Sequence, residues 1–149
     1  MYRTHNLGEL NIKNVGEEVE LSGWVQKIRN LGGMIFIDLR DRSGIVQIVV
    51  RDGSEFYDLA ASLKSESVLK VTGKVMDSPK VKLNGMEVIP SKIEVTSVNQ
   101  GELPFNYKDI STVNLDTRLD YRFIDLRNEQ NACIFKAQSC LVKYLREYC

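Results

Sequence analysis

The chain has 149 residues, of which 43% are hydrophobic and 27% charged, a composition typical of a globular protein. Its 20 basic and 20 acidic residues cancel, which excludes a strongly basic nucleic-acid-binding protein and leaves only a local patch for such binding. No apolar run approaches the roughly 18 residues of a membrane span, and the first residues form no apolar leader, so we expect a cytoplasmic protein.

Apolar residues punctuated by glycines in residues 1–17 predict a short arm or strand that leads into a domain. Apolar alternation then predicts five strands, over residues 18–30, 34–40, 45–51, 67–77 and 86–97. The turns at 31–33 and 42–44 contain glycines, which we expect to supply positive φ angles, and Asn84-Gly85 is a strong hairpin signal.

One helix is predicted between the third and fourth strands. Phe56, Leu59, Ala60 and Leu63 follow one another at i, i+3, i+4 and i+7, and Ser54 is a good N-cap, so the helix should span about 54–64. Five strands with a helix in this position indicate an all-β OB-fold, a five-stranded Greek-key barrel. Gly23, inside the long first strand, fits the bend that barrel closure requires.

The second and third strands predict one buried and one outer face. Alternation directs Ile35, Ile37 and Leu39 inward, together with Val46, Ile48 and Val50. It directs Phe36, Gln47 and Val49 outward, and charge argues that Lys27 and Arg29 reach solvent. An exposed ring can stack on an unpaired base and an amide can read a base edge, although single exposed aromatics also occur without any function.

Residues 101–127 form a polar connector in which Arg118, Arg122 and Arg127 alternate with Asp116, Asp120 and Asp125. This pattern is compatible with a salt-bridged hinge face and equally with a contact region for a phosphate backbone or a partner subunit.

From Asn128, a capping residue, the apolar period becomes helical, with a stripe formed by Ile134, Ala137, Leu141, Leu145 and Tyr148. We expect this helix to be truncated and its stripe to cover the barrel or a second copy of the chain. Cys133, Cys140 and Cys149 match no zinc motif, so we expect reduced thiols that mostly pack against neighbours.

Three sequence blocks, at residues 3–10, 23–47 and 116–127, resemble the N-terminal part of class II aspartyl-tRNA synthetases. The middle block is shared with asparaginyl and, more loosely, lysyl enzymes. The resemblance implies an anticodon-binding OB-fold over 1–100, a hinge over 101–127 and, over 128–149, the truncated first helix of a catalytic domain.

The resemblance also implies roles for particular side chains in binding the anticodon of tRNA. Phe36 matches the residue that stacks on the central uridine, Gln47 the one that reads the edge of that base, and Glu87 the one that reads the first base, a guanine. Arg29 and Lys27 match basic residues near the anticodon nucleotides.

The resemblance implies that the parent protein is a homodimeric ligase that joins aspartate to tRNA, with ATP and Mg²⁺ bound downstream of residue 149. We expect no cofactor in this chain and no catalysis by it alone. Three alternatives remain open. The chain could be a free-standing OB-fold module for single-stranded nucleic acid, an asparaginyl- or lysyl-type synthetase fragment, or an interaction protein whose barrel face packs against a partner.

Overall fold

Five β-strands close into a barrel in a computed structural model that describes residues 3–79, 81 and 84–149. The strands are β1 Glu18–Asn30, β2 Met34–Arg40, β3 Ile45–Arg51, β4 Val68–Asp77 and β5 Met86–Ser97, in the order β1-β2-β3-β5-β4. All neighbours pair antiparallel except β3 and β5, which are parallel. The predicted OB-fold is confirmed, and the strand bounds differ from those predicted by at most one residue.

The barrel interior contains the side chains that alternation directs inward. Ile35, Ile37 and Leu39 of β2 are fully buried. β1 closes the barrel by pairing with both β2 and β4, and Gly23 lies where all three meet. A Cβ atom on Gly23 would lie 2.5 Å from the backbone oxygen of Arg40, so only glycine allows the strands this approach.

Two of the predicted turn glycines, Gly85 and Gly44, are needed for different structural reasons. Asn84 and Gly85 both have positive φ angles, 61° and 66°, as a tight hairpin turn requires. Gly44, in contrast, has no positive φ, and the prediction for it is wrong. Its role is close approach, because a Cβ atom there would lie 2.7 Å from the Cα atom of Gly8.

The helix between β3 and β4, α1, spans Tyr57–Ser62 and is shorter than predicted. Ser54 does not cap it, because the helix begins at Tyr57 and Phe56 occupies the N-cap position. The Ser54 hydroxyl instead accepts from the N–H of Phe56 at 3.3 Å, in the turn that precedes the helix. The predicted apolar stripe is correct: Ala60 is buried, and the other three members are partly buried and pack against the barrel core.

The N-terminal segment forms two 3-10 helices, Leu7–Glu9 and Ile12–Asn14, rather than a strand. Leu7 and Leu10 are buried in the barrel core. The carboxylate of Asp41, in the β2–β3 turn, accepts a hydrogen bond from the backbone N–H of Leu7 at 3.0 Å. This contact fastens the segment to the barrel.

Residues 101–149 form a second compact unit, with α2 Leu115–Asp120, α3 Arg122–Asp125 and α4 Glu129–Tyr148. Asp125 is fully buried and accepts hydrogen bonds from Arg122 and, at 2.7 Å, from Nε of Arg118. The salt-bridged interpretation of this run therefore holds for Asp125, although the pairs converge on a buried carboxylate and not on a solvated face. Phe105, Tyr107 and Ile124 form a small core.

The last helix, α4, begins after Asn128 as predicted, and the Asn128 side chain accepts from the N–H groups of Gln130 and Asn131. The apolar stripe on α4 is exposed, as are all three cysteines, so the expectation of packing thiols is wrong. No helix in the described part of the chain has the length and apolar character needed to cross a membrane.

Candidate nucleic-acid interface

Strand register places the predicted binding residues in two neighbouring rows on the outer face of the barrel. One row runs from Lys27 on β1 through Asp38 on β2 to Gln47 on β3. The next row runs from Arg29 through Phe36 to Val49. Directly opposed residues of antiparallel strands point to the same side, so both rows share this face.

The first of these rows depends on a bulge in β1. The β1–β2 register shifts between Val25 and Lys27, so that Gln26 has no direct partner on β2. The shift lies three residues beyond Gly23, where the sequence predicts a bend. It brings Lys27 and Arg29 to the same side as Phe36, which alternation counted from the start of the strand could not establish.

Most of this face lines a concavity with a volume of about 610 Å³, which we call the concave surface. Glu87 reaches it from β5, which lies beside β3 through the Ile48–Val88 pair. The lining includes Arg29, Phe36, Asp38, Gln47, Arg51 and Glu87. The structure thus brings together four of the predicted site residues, while Lys27 is exposed and lies outside this concavity.

Two side chains that alternation directs outward are nevertheless buried, and the prediction that they are exposed is wrong. Gln47 is 7% exposed and Val49 is 2% exposed. Both belong to β3, which has β2 on one side and β5 on the other. The Arg29 side chain covers Gln47 on the outer face of the barrel, where it donates to the Gln47 amide oxygen. Phe36 is half-buried, so part of its ring remains accessible.

The guanidinium of Arg29 links three side chains of the concave surface. Its Nη2 atom donates to Oδ1 of Asp38 at 2.8 Å and to Oε1 of Gln47 at 3.0 Å. The Arg29 guanidinium carbon lies 5.7 Å from the centroid of the Phe36 ring, within range of a cation–π interaction. The buried Nε atom of Arg29 has no hydrogen-bond partner among the described residues.

Asp38 is the site residue that sequence reasoning missed. The sequence pattern alone gives its carboxylate no role in the site. Its position in the sequence could have indicated a role. Asp38 comes two residues after Phe36, so both side chains lie on one side of β2, and the neighbouring strand β1 carries basic residues.

The chemistry of the concave surface suits an unpaired base better than a phosphate chain. Phe36 offers a ring face, and exposed Met34 and Leu31 extend the apolar area. The carboxylates of Asp38 and Glu87 offset the cations beside them, so the surface has no strong positive field. It presents both hydrogen-bond donors and hydrogen-bond acceptors next to an aromatic ring on which a base can stack, as base recognition requires.

Residues 19–96 match the model of the tRNA anticodon family, described as an OB-fold nucleic acid binding domain. The chain belongs to this family of nucleic-acid-binding OB-fold domains.

Its similarity to known proteins extends over almost the whole sequence. The chain is 43% identical to the aspartate–tRNA(Asp) ligase of Pyrococcus horikoshii, over 99% of this chain and 34% of that protein. It is 45% identical to the aspartate–tRNA(Asp/Asn) ligase of Dictyoglomus turgidum, over 91% of this chain and 24% of that protein. The chain therefore spans about a third or less of the length of these relatives.

Among solved structures, the asparaginyl-tRNA synthetase of Pyrococcus horikoshii superposes with a TM-score of 0.88 at 30% identity. That superposition covers 99% of this chain and 34% of the synthetase chain.

Proposed function

We propose that the barrel binds the anticodon stem-loop of an aspartate tRNA through the concave surface, and that the whole protein is an aspartate–tRNA ligase. The observation that carries the proposal is the convergence of a half-buried aromatic ring, a buried amide and a paired guanidinium in one concavity of a nucleic-acid-binding OB-fold. The names of the relatives supply the substrate class.

Each predicted side chain has a proposed task in this complex. Phe36 stacks on the central base, a uridine, and Gln47 contacts the edge of that base. Glu87, from β5, accepts from the N1–H and N2–H₂ groups of a guanine at the first position. Lys27, exposed beside the concavity, attracts the phosphate backbone, and Arg29 lies between the ring and the amide.

In the whole protein, residues 1–100 form the anticodon-binding domain, 101–127 a hinge and 128–149 the first helix of a catalytic domain. That domain supplies the ATP and Mg²⁺ sites, and the protein acts as a cytoplasmic homodimer. The 149-residue chain alone should bind tRNA without forming aspartyl-adenylate. Pyrophosphate exchange with ATP and aspartate tests this, and reproducible exchange by the purified chain would refute it.

The test of anticodon binding is a titration of the chain with stem-loops that carry or lack the central uridine. Phe36→Ala should weaken binding by about 1–3 kcal/mol, the loss typical of one stacked base. The barrel should stay folded, because the core contacts of β2 come from Ile35, Ile37 and Leu39. Thermal unfolding of the variant checks this.

Trp24→Ala is the matched control, because Trp24 is an exposed aromatic residue of the same barrel that lies outside the concave surface. It should bind as the wild type does. Equal binding by Phe36→Ala and wild type would show that Phe36 is not a stacking platform.

Lys27→Ala should weaken the binding of all stem-loop sequences by the same factor. It should also reduce the slope of log affinity against log salt concentration by somewhat less than one, because one phosphate contact is lost.

A further inference from the structure

We infer that Asp38 is a positioning residue for base recognition: through Arg29 it holds the Gln47 amide with its NH₂ group available to the bound base. This inference rests on the proposed function and concerns how that function selects a uridine. Asp38 itself need not touch the RNA.

The first step is the restraint on Arg29. The Asp38 carboxylate accepts from Nη2 of Arg29 at 2.8 Å, and the Asp38 side chain is only 14% exposed. The Arg29 side chain is 37% exposed, so the ion pair is partly covered, and a partly covered pair is screened less than a pair on an open surface. The ring of Phe36 restrains the same guanidinium from a second direction. Arg29 therefore has one preferred position on the outer face.

The second step is the orientation of the Gln47 amide. The same Nη2 atom donates to Oε1 of Gln47 at 3.0 Å. A guanidinium has donors and no acceptor, so the amide must present its oxygen to Arg29 and direct its NH₂ group elsewhere. The opposite orientation would set two donors against each other at a site where Gln47 is 7% exposed. Among the described residues, Arg29 supplies the one hydrogen bond given to the Gln47 side chain.

The third step is the consequence for the base. An amide held in this way donates, so the base atom opposite it must be an acceptor. Uracil presents O4 on its Watson–Crick edge, whereas cytosine presents an amino group at the same place. A free amide can turn over and accept from that amino group. Fixing the amide through Arg29 removes this option, so Asp38 contributes to discrimination between the two bases more than to affinity.

The sign of the change in affinity separates this positioning role from mere support of the fold. Asp38 is an anion close to where a polyanion binds, so its removal takes away repulsion. Asp38→Ala should therefore leave binding of a stem-loop with a central cytosine unchanged or tighter. A residue that merely supported the fold would weaken both stem-loops together.

The experiment titrates the 149-residue chain against stem-loops that differ only in a central uridine or cytosine. We expect wild type to prefer uridine by about tenfold. Asp38→Ala should reduce this to less than about threefold, with the cytosine affinity not weakened. Asp38→Glu, which retains a carboxylate within reach of Arg29, should retain an intermediate preference. Thermal unfolding of each variant establishes that the barrel is intact.

A double-mutant cycle then tests the route through Gln47. Gln47→Ala should lose the uridine preference, and adding Asp38→Ala to it should change the preference no further. Independent, additive losses would overturn the inference, as would an Asp38→Ala variant that keeps the preference while Gln47→Ala loses it. Wild type that binds neither stem-loop would refute the proposed function, and the inference with it.

Discussion

The Asp41 carboxylate shows how one residue can hold a barrel and its N-terminal segment together. It accepts from the backbone N–H groups of Ser43 and Gly44 at 2.7 and 3.0 Å, and from that of Leu7 at 3.0 Å. Burial by itself raises the pKa of Asp41, but hydrogen bonds from the Ser43 hydroxyl and these N–H groups outweigh it and hold the pKa below its ordinary value.

We predict that Asp41→Asn lowers the free energy of unfolding at pH 7 by about 1–3 kcal/mol, because an amide cannot satisfy all the N–H groups that face it. A carboxyl whose pKa is lower in the folded than in the unfolded state stabilises the fold fully above its unfolded pKa of about 4, and loses this effect as the pH falls through the folded pKa. The difference between variant and wild type should therefore shrink toward pH 3. Denaturant unfolding at both pH values measures it.

Asp77→Asn is the control for this experiment, because Asp77 is exposed at the end of β4. It should unfold as the wild type does at both pH values. A constant difference between Asp41→Asn and wild type at pH 7 and pH 3 would show that packing, and not the ionised carboxylate, stabilises the segment.

The sequence predicts the residues of the core better than those of the site. Ile35 and Ile37 are assigned correctly because their burial follows from the pleat of their own strand. The burial of Gln47 depends on Arg29, which lies 18 residues away in sequence and reaches it only after a bulge in β1. Strand alternation within one segment contains no information about such a partner.

Among the elements, the contact between the 3-10 helix at 7–9 and the β2–β3 turn depends on two glycines. A Cβ atom on Gly8 would lie 2.2 Å from the backbone oxygen of Ser43, and one on Gly44 would lie 2.7 Å from the Cα atom of Gly8. Because the obstructing atoms are backbone, the segment must shift to admit a methyl group. Leu7, fully buried beside Gly8, would shift with it.

We predict that Gly44→Ala lowers the free energy of unfolding by about 1–3 kcal/mol, as overpacking of a close contact does. Gly101→Ala is the matched control, since a Cβ atom there meets no atom within 4 Å and its φ is not positive. Denaturant titration followed by circular dichroism measures both variants. Equal stability of Gly44→Ala and wild type would mean that the N-terminal segment moves without cost.

The sequence predicts the type of an element where its periodicity extends over several residues, but not where contacts with other segments determine the conformation. The strands of the barrel and α4 have long apolar patterns and lie where predicted. The segment 1–17 has few apolar residues. Its 3-10 turns depend on how Leu7 and Leu10 fit into the barrel core, which is formed by residues outside the segment. Local sequence alone could not exclude a strand there.

On the scale of the whole molecule, the chain combines a barrel that buries its apolar residues with a helix that exposes them. In α4, Ile134, Leu141 and Leu145 are each more than half exposed. They lie on one side of the helix, because successive residues are about 100° apart around its axis. At about 25 cal/mol per Å², covering such side chains gains several kcal/mol of free energy.

We therefore predict that the 149-residue chain self-associates through α4 as its concentration is raised, which sedimentation velocity measures. Replacing Leu141 and Leu145 together with glutamate should keep the chain monomeric, because two charges cannot be buried without partners. Lys136→Glu changes the net charge equally and lies on the opposite side of the helix, so it should associate as the wild type does. Stem-loop binding by the barrel should be unaffected in both variants. Wild-type chain that stays monomeric at every concentration would show that the exposed stripe is not a self-association surface.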